Sequence, residues 1–163
     1  MWKKSKISPC SSHHCVDEVP LYKTRFDFVL KFHEPGLAPV QDRTGYYHIT
    51  IEGLPAYSSR FIKTFGFYCN RAAVEDQTGC YHITSWGAPV YGERYRWCGN
   101  FQSDACSVQS LDGNYFHIDL DGNRLYSQVY RYVGDYRDGY AVVHLEPKKC
   151  THIDQKGTLL HSL

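Results

Sequence analysis

The chain has 163 residues, with 18 Lys and Arg against 17 Asp and Glu, and therefore a formal net charge of +1. This length suffices for one domain or one short array of repeats, and the balanced charge gives no electrostatic basis for wrapping nucleic acid or coating an anionic membrane. No apolar run approaches the roughly 18–20 residues that a membrane-spanning helix needs.

The N-terminal segment is polar and basic, and we expect residues 1–10 to form a mobile arm outside the folded domain. No apolar segment follows the basic start, so the pattern of a secretory signal is absent. The sequence therefore predicts a cytoplasmic protein, or one that is exported without a cleavable signal peptide.

A short motif with histidine at its centre recurs at a nearly constant interval of 34, 35 and 35 residues. Its copies are Tyr46–Thr50, Cys80–Thr84, Tyr115–Asp119 and Cys150–Asp154. A fixed period in this range indicates a tandem repeat. The units that follow from it are 11–45, 46–79, 80–113 and 114–148, with 149–163 opening a fifth.

Each unit carries two glycine turns around an aromatic-rich middle. One turn follows the histidine motif, as at Glu52-Gly53, and the other precedes it, as at Thr78-Gly79. Glycine supplies the positive φ of tight hairpin turns, and the β-branched and aromatic runs between the turns are typical of strands. We therefore predict about three short strands per unit, the last pairing across a glycine turn with the first strand of the next unit.

These features predict a single all-β repeat domain over residues 11–163, with four to five units of about 34–35 residues. A helical repeat of the same period would need apolar residues at i, i+3, i+4 and i+7, whereas Tyr, Thr, Val and Gly dominate here. A solenoid-like array is the first expectation and a closed, propeller-like ring is the alternative. The C-terminal half-unit could cap an open end, or it could pair with the first unit and remove exposed strand edges.

The second half of the chain resembles the WG-repeat class of β-repeat proteins. The residues that carry the resemblance are His117–Gly122, Tyr130–Tyr136 and Gly139–Val143, which together give His-Ile-Asp, a Gly turn, an aromatic middle and Gly-x-Ala-x-Val. The resemblance extends over roughly 11–163 and is strongest from residue 46 onward. It implies a repeat architecture and a role in binding other proteins, and it implies no catalytic residues.

The cysteines and histidines raise the question of metal binding or catalysis. The chain has seven cysteines, an odd number, and several replace small or apolar residues of other units, so we predict reduced, partly buried thiols. The repeated histidines are His48, His82, His117 and His152, with His13 or His14 in the first unit. Equivalent residues of stacked units lie at least about 4.7–4.9 Å apart, whereas Zn ligands converge at about 2.0–2.1 Å. We therefore predict that these histidines are structural and donate to neighbouring backbone groups.

A denser group of possible metal ligands comprises Cys10, His13, His14 and Cys15. Its spacing matches no standard zinc finger or ribbon, so a zinc-binding protein is kept only as an alternative. A small enzyme or effector that depends on a Cys or His is a further alternative, although no local signature pairs a nucleophile with a base. No cofactor is predicted.

The recurring arginines and aromatic residues are the predicted binding residues. Arg25, Arg60 and Arg94 each precede an aromatic residue, and strand alternation places them on the face opposite the core together with Trp97 and Tyr132. Tyr, Trp and Arg are enriched at protein-binding surfaces. The sequence therefore predicts a non-catalytic module that presents an aromatic and arginine face to a protein partner; nucleic acid and membranes are not expected partners.

Overall fold

The computed structural model describes residues 1–160 and is all-β, with five antiparallel sheets of three strands each. The first sheet contains β1 (Lys6–Ile7), β2 (His14–Val16) and β3 (Val19–Pro20), and the second contains β4 (Phe28–Val29), β5 (Ala38–Asp42) and β6 (Gly45–Ile49). The third contains β7 (Lys63–Tyr68), β8 (Arg71–Asp76) and β9 (Gly79–Ile83). The fourth contains β10 (Trp97–Cys98), β11 (Ala105–Gln109) and β12 (Tyr115–Asp119), and the fifth contains β13 (Tyr132–Val133), β14 (Ala141–Glu146) and β15 (Lys149–Ile153).

The prediction of an all-β tandem repeat is therefore confirmed. Trp2–Lys4 form a short 3-10 turn, and no α-helix occurs in residues 1–160. Accordingly, the described part of the chain contains no helix long and apolar enough to span a bilayer. The end of the predicted partial unit, residues 161–163, lies outside the described residues.

The register of the last two strands repeats from the second sheet to the fifth. The paired residues are Ala38 with Ile49, Ala72 with Ile83, Cys106 with Ile118, and Ala141 with Ile153. In the second and third sheets the connection is a tight turn closed by a pair of the type Asp42 with Gly45. The φ of Gly45 is +123°, and a Cβ there would lie 2.9 Å from the carbonyl oxygen of Phe61, so only glycine fits. The predicted pairing across a glycine turn is confirmed.

The first sheet begins earlier in the chain than predicted. Lys6 and Ile7 pair with Cys15 and His14, in the register that Pro39 and His48 show in the second sheet. Ser8 is buried. The prediction that residues 1–10 form an arm is therefore wrong for this strand, because a strand of two residues leaves no periodic pattern and is held by hydrogen bonds to β2.

The core consists of the apolar residues that recur in every unit. Val40, Val74, Val108 and Val143 are almost completely buried. The recurring aromatic residues are also buried, and neighbouring sheets meet through edge-to-face ring pairs. Each fully buried side chain of this size contributes roughly 1.5–3 kcal/mol, so repeated burial is the main stabilising contribution.

A recurring set of hydrogen bonds connects each sheet to the next, and we call it the histidine bridge. The imidazole of His82, in the last strand of the third sheet, contacts the hydroxyl of Tyr91 through Nδ1 and the carbonyl oxygen of Gly99 through Nε2. The other three bridges are His14 with Tyr22 and Leu30, His48 with Tyr57 and Phe65, and His117 with Tyr126 and Gly134. The Nδ1 distances are 2.5–2.6 Å and the Nε2 distances are 2.7–2.9 Å.

The chemistry of these partners determines the tautomer. A carbonyl oxygen can only accept, so Nε2 carries the proton and donates, and Nδ1 accepts from the tyrosine hydroxyl. The ring is neutral and both of its nitrogens are used within the chain. The structural role predicted for the repeated histidines is confirmed at these four positions, whereas the side chain of His152 in β15 is exposed.

Removing the tyrosine hydroxyl from one bridge should destabilise the whole array. In Tyr126→Phe the Nδ1 atom of buried His117 loses its donor, and an unsatisfied buried polar group costs about 1–3 kcal/mol. Urea unfolding should show a lower midpoint with an unchanged slope. Tyr140→Phe, at an exposed tyrosine, is the matched control. Equal midpoints for the two variants would contradict a stabilising role for the bridge.

The bridges also predict loss of stability in mild acid. Burial lowers the pKa of His48 and of His82 to about 4, and burial likewise lowers the pKa of His14 and of His117. An unfolded histidine titrates near 6.5, so between about pH 6.5 and 4 the unfolded chain binds more protons than the folded chain. Stability should be fully present above this range and decrease as the pH falls through it, by up to about 1.4 kcal/mol per pH unit for each histidine.

Urea unfolding at a series of pH values across this range measures that slope directly. The carboxylates of Asp42 and Asp76, whose pKa values are lowered by hydrogen bonds from Thr and Tyr, contribute only at lower pH. A free energy of unfolding that stays constant between about pH 7 and pH 5 would refute the proposed protonation state of the bridges.

Candidate functional site

The five predicted binding residues separate into two groups in the structure. Arg25, Arg60 and Arg94 all donate hydrogen bonds within the chain, although Arg25 is itself exposed, whereas Trp97 and Tyr132 belong to a group of exposed aromatic rings. The two groups therefore have different roles, and the candidate site is built around the aromatic residues.

Each arginine donates hydrogen bonds to hydroxyl or carbonyl groups of nearby turns and loops. Arg94 donates from Nε to the Thr78 hydroxyl at 2.9 Å and from Nη1 to the carbonyl oxygens of Gly92 and Glu93. Its guanidinium lies 3.7 Å from the ring centroid of Tyr81. Arg60 repeats this arrangement with Thr44 and Tyr47, and Arg25 donates to three carbonyl oxygens of its own loop. These hydrogen bonds lie within the chain, and the alternation pattern of the sequence does not reveal them.

Trp97 and Tyr132 belong to a continuous row of aromatic side chains across the fourth and fifth sheets. They are the first residues of β10 and β13, and they are 44% and 45% exposed. Tyr115 lies between them, with ring centroids 6.3 Å from Trp97 and 5.7 Å from Tyr132. His144 continues the row at 5.1 Å from Tyr132. We refer to Trp97, Tyr115, Tyr132 and His144 as the aromatic row.

The position of the row follows from strand pairing. Trp97 and Tyr115 both lie opposite Gln109 on the middle strand of the fourth sheet, and Tyr132 lies opposite His144 in the fifth. The two sheets thus bring together side chains that are distant in sequence. The sequence did not single out Tyr115 or His144 as binding residues. For Tyr115 one signal was available, because a tyrosine opens the histidine motif at both Tyr46 and Tyr115.

Concave surface adjoins two members of the row, Trp97 and Tyr132. A hollow of about 210 Å³ next to Trp97 is lined by Phe65, Asn100 and Asp135. A second hollow, of about 570 Å³, lies next to Tyr132 and is lined by Asp135, Arg137 and other residues of the fifth sheet. The carboxylate of Asp135 borders both. Exposed rings with a charged group beside them can hold an extended peptide, in which apolar side chains cover the rings and a polar group pairs with the charge.

The four Cys and His residues near the N-terminus do not converge on one point. Cys10 contacts Ser12, His13 contacts Ser12, and His14 is buried in its histidine bridge. The thiol of Cys15 points to the carbonyl oxygen of Lys6. Among residues 1–160 no group of three or more Cys, His, Asp or Glu side chains is arranged to hold a metal ion. The structure therefore does not support the alternative of a zinc site at Cys10, His13, His14 and Cys15, because only Cys10 and His13 share a neighbour, the Ser12 hydroxyl, while His14 and Cys15 contact other groups.

The fold is similar to that of a solved structure, BamB from Moraxella catarrhalis, a β-propeller protein. The sequences are 11% identical, the TM-score is 0.58, and the match covers 96% of this chain and 59% of the BamB chain. The likeness shows the fold alone, and it is consistent with the propeller-like alternative of the sequence analysis. No protein-family model matches the chain, and no curated protein is similar to it in sequence.

The internal role of the arginines can be separated from binding by mutation. Arg94→Ala removes a guanidinium stacked on Tyr81 and its hydrogen bonds, so unfolding should become easier by about 1–2 kcal/mol. Arg96→Ala, at an exposed arginine two residues along the chain, should change the free energy of unfolding much less. Thermal or urea unfolding of the two variants makes the comparison, and equal stability would show that the Arg94 contacts are energetically unimportant.

Proposed function

We propose that this chain is a non-catalytic protein-binding repeat module and that the aromatic row is its contact surface. The observation that carries the proposal is the exposure of Trp97 and Tyr132 at equivalent positions of neighbouring sheets, with Tyr115 between them. Trp and Tyr dominate the energetics of protein interfaces because they bury a large area and have few rotatable bonds to fix.

The repeat fold supports the same proposal. The first strands of neighbouring sheets occupy equivalent places in the repeat. Aromatic residues at the first position of these strands, such as Trp97 and Tyr132, can therefore form a row across neighbouring sheets. Stacked repeats commonly form extended binding surfaces in this way. The resemblance to WG repeats and the cytoplasmic location remain predictions. The arginines enter the proposed function only through the contacts that they make within the chain.

The proposal predicts a strong loss of binding on truncating the row. Partners captured by the tagged full chain from lysate of its own source are identified by mass spectrometry, and the affinity of the purified partner is then measured. Trp97→Ala should cost about 2 kcal/mol, or roughly a thirtyfold weaker Kd, and adding Tyr132→Ala should weaken binding further.

Two variants serve as controls. Trp86→Ala removes a tryptophan that is 71% exposed, lies in a turn after β9 and makes no ring contact with the row, so partner binding should stay unchanged. Arg94→Ala should lower stability while leaving the affinity of the folded protein close to that of the wild type. A partner that binds the Trp97→Ala, Tyr132→Ala double variant as tightly as the wild type would refute the aromatic row as the contact surface.

A further inference from the structure

One junction between sheets differs from the others in its side chains. At the contact between the third and fourth sheets, two register positions are both cysteine, whereas the junction before holds Tyr46 with Thr64 and the junction after holds Tyr115 with Val133. Cys80 corresponds by register to Tyr46, Tyr115 and Cys150, and Cys98 corresponds to Val29, Thr64 and Val133. Residues that hold the repeat together recur in every unit, so this double substitution is not required by the architecture.

The backbone holds the two cysteines close together. Cys80 donates its N–H to the carbonyl oxygen of Tyr95 at 2.8 Å and accepts from the N–H of Tyr95 at 2.9 Å, three residues before Cys98. Cys98 lies in β10, the strand that follows this pairing and begins the next sheet. Cys98 is buried, with the Tyr91 hydroxyl 3.9 Å from its sulfur, whereas Cys80 is half-buried in β9.

The two thiols are chemically unequal. The interaction with Cys98 lowers the pKa of Cys80, while burial raises the pKa of Cys98 far above its usual range. A partly exposed thiol with a lowered pKa is the one that attacks an incoming disulfide, and a buried thiol beside it can resolve the mixed disulfide that results.

We propose that Cys80 and Cys98 form an oxidisable pair that closes to an intramolecular disulfide between the third and fourth sheets. The oxidant is a low-molecular-weight disulfide such as glutathione disulfide. The Cys80 thiolate attacks one sulfur of the oxidant, forms a mixed disulfide and releases one glutathione thiolate. Cys98 then loses its proton, attacks the Cys80 sulfur and releases the second thiolate. Two protein thiols are oxidised and one small disulfide is reduced to two thiols.

The bond would connect β9 to β10, the strand that begins with Trp97 of the aromatic row. A covalent link at this junction restrains the unfolded chain and should raise the unfolding temperature of the oxidised protein. The inference does not depend on the proposed binding function, because it concerns the thiols alone.

The test treats the folded, fully reduced full chain with glutathione disulfide, blocks free thiols, and maps the peptides without reduction. The expected result is a peptide pair linked through Cys80 and Cys98 that has lost two hydrogen atoms and carries no glutathione. The exposed thiols of Cys10, Cys69 and Cys150 serve as internal references for simple mixed-disulfide formation.

Each cysteine is replaced by the residue that stands at the equivalent position of another repeat, so that the variants are expected to fold. Cys98→Val places the residue of two other sheets at this position, and it should leave Cys80 as a stable glutathione adduct. Cys80→Tyr should leave Cys98 a free thiol. Circular dichroism checks that both variants are folded. Three results for the wild-type chain would overturn the proposal. Cys80 could retain glutathione, Cys80 could remain unmodified, or Cys98 could pair with the neighbouring Cys106.

Discussion

The structure depends on the histidine bridge more than on any other polar interaction. A neutral imidazole in the last strand of one sheet accepts from a tyrosine of the connection and donates to a carbonyl oxygen at the start of the next sheet. Because the ring is almost completely buried, both hydrogen bonds must form together, and an unpaired nitrogen would be costly. The same three groups therefore recur at a fixed spacing along the chain, and they set the position of each sheet relative to its predecessor.

Residues that recur in every unit and residues that break the repeat carry different information. Arg60 and Arg94 recur with the same threonine and tyrosine partners within the chain. Cys98, by contrast, stands where the other sheets have Val29, Thr64 and Val133, and it belongs to the unusual cysteine pair. In a repeat protein, recurrence identifies the architecture, and departures from it identify candidate sites.

Recurrence at equivalent positions does not by itself identify a binding residue. Three arginines at equivalent positions look like a periodic binding face, and alternation correctly places them away from the core. Alternation does not show whether a guanidinium on that side meets solvent or the carbonyl oxygens of its own loop. Long side chains with several donors readily satisfy backbone groups nearby, so a repeated arginine is weaker support for a binding face than an exposed aromatic residue.

The sequence by itself determined the period, the strand-rich class, the glycine turns and the structural histidines, because turn chemistry and side-chain alternation are local properties of the chain. It also pointed to Trp97 and Tyr132. Only the tertiary structure decided that β1 pairs with β2, that His14 rather than His13 enters the first bridge, and that Tyr115 and His144 complete the aromatic row. It also decided that Cys80 pairs with Tyr95, three residues before Cys98, at the junction of the third and fourth sheets. These facts depend on which strands become neighbours. A period in the sequence specifies the repeat, but it does not specify which side chains come into contact at each junction between sheets.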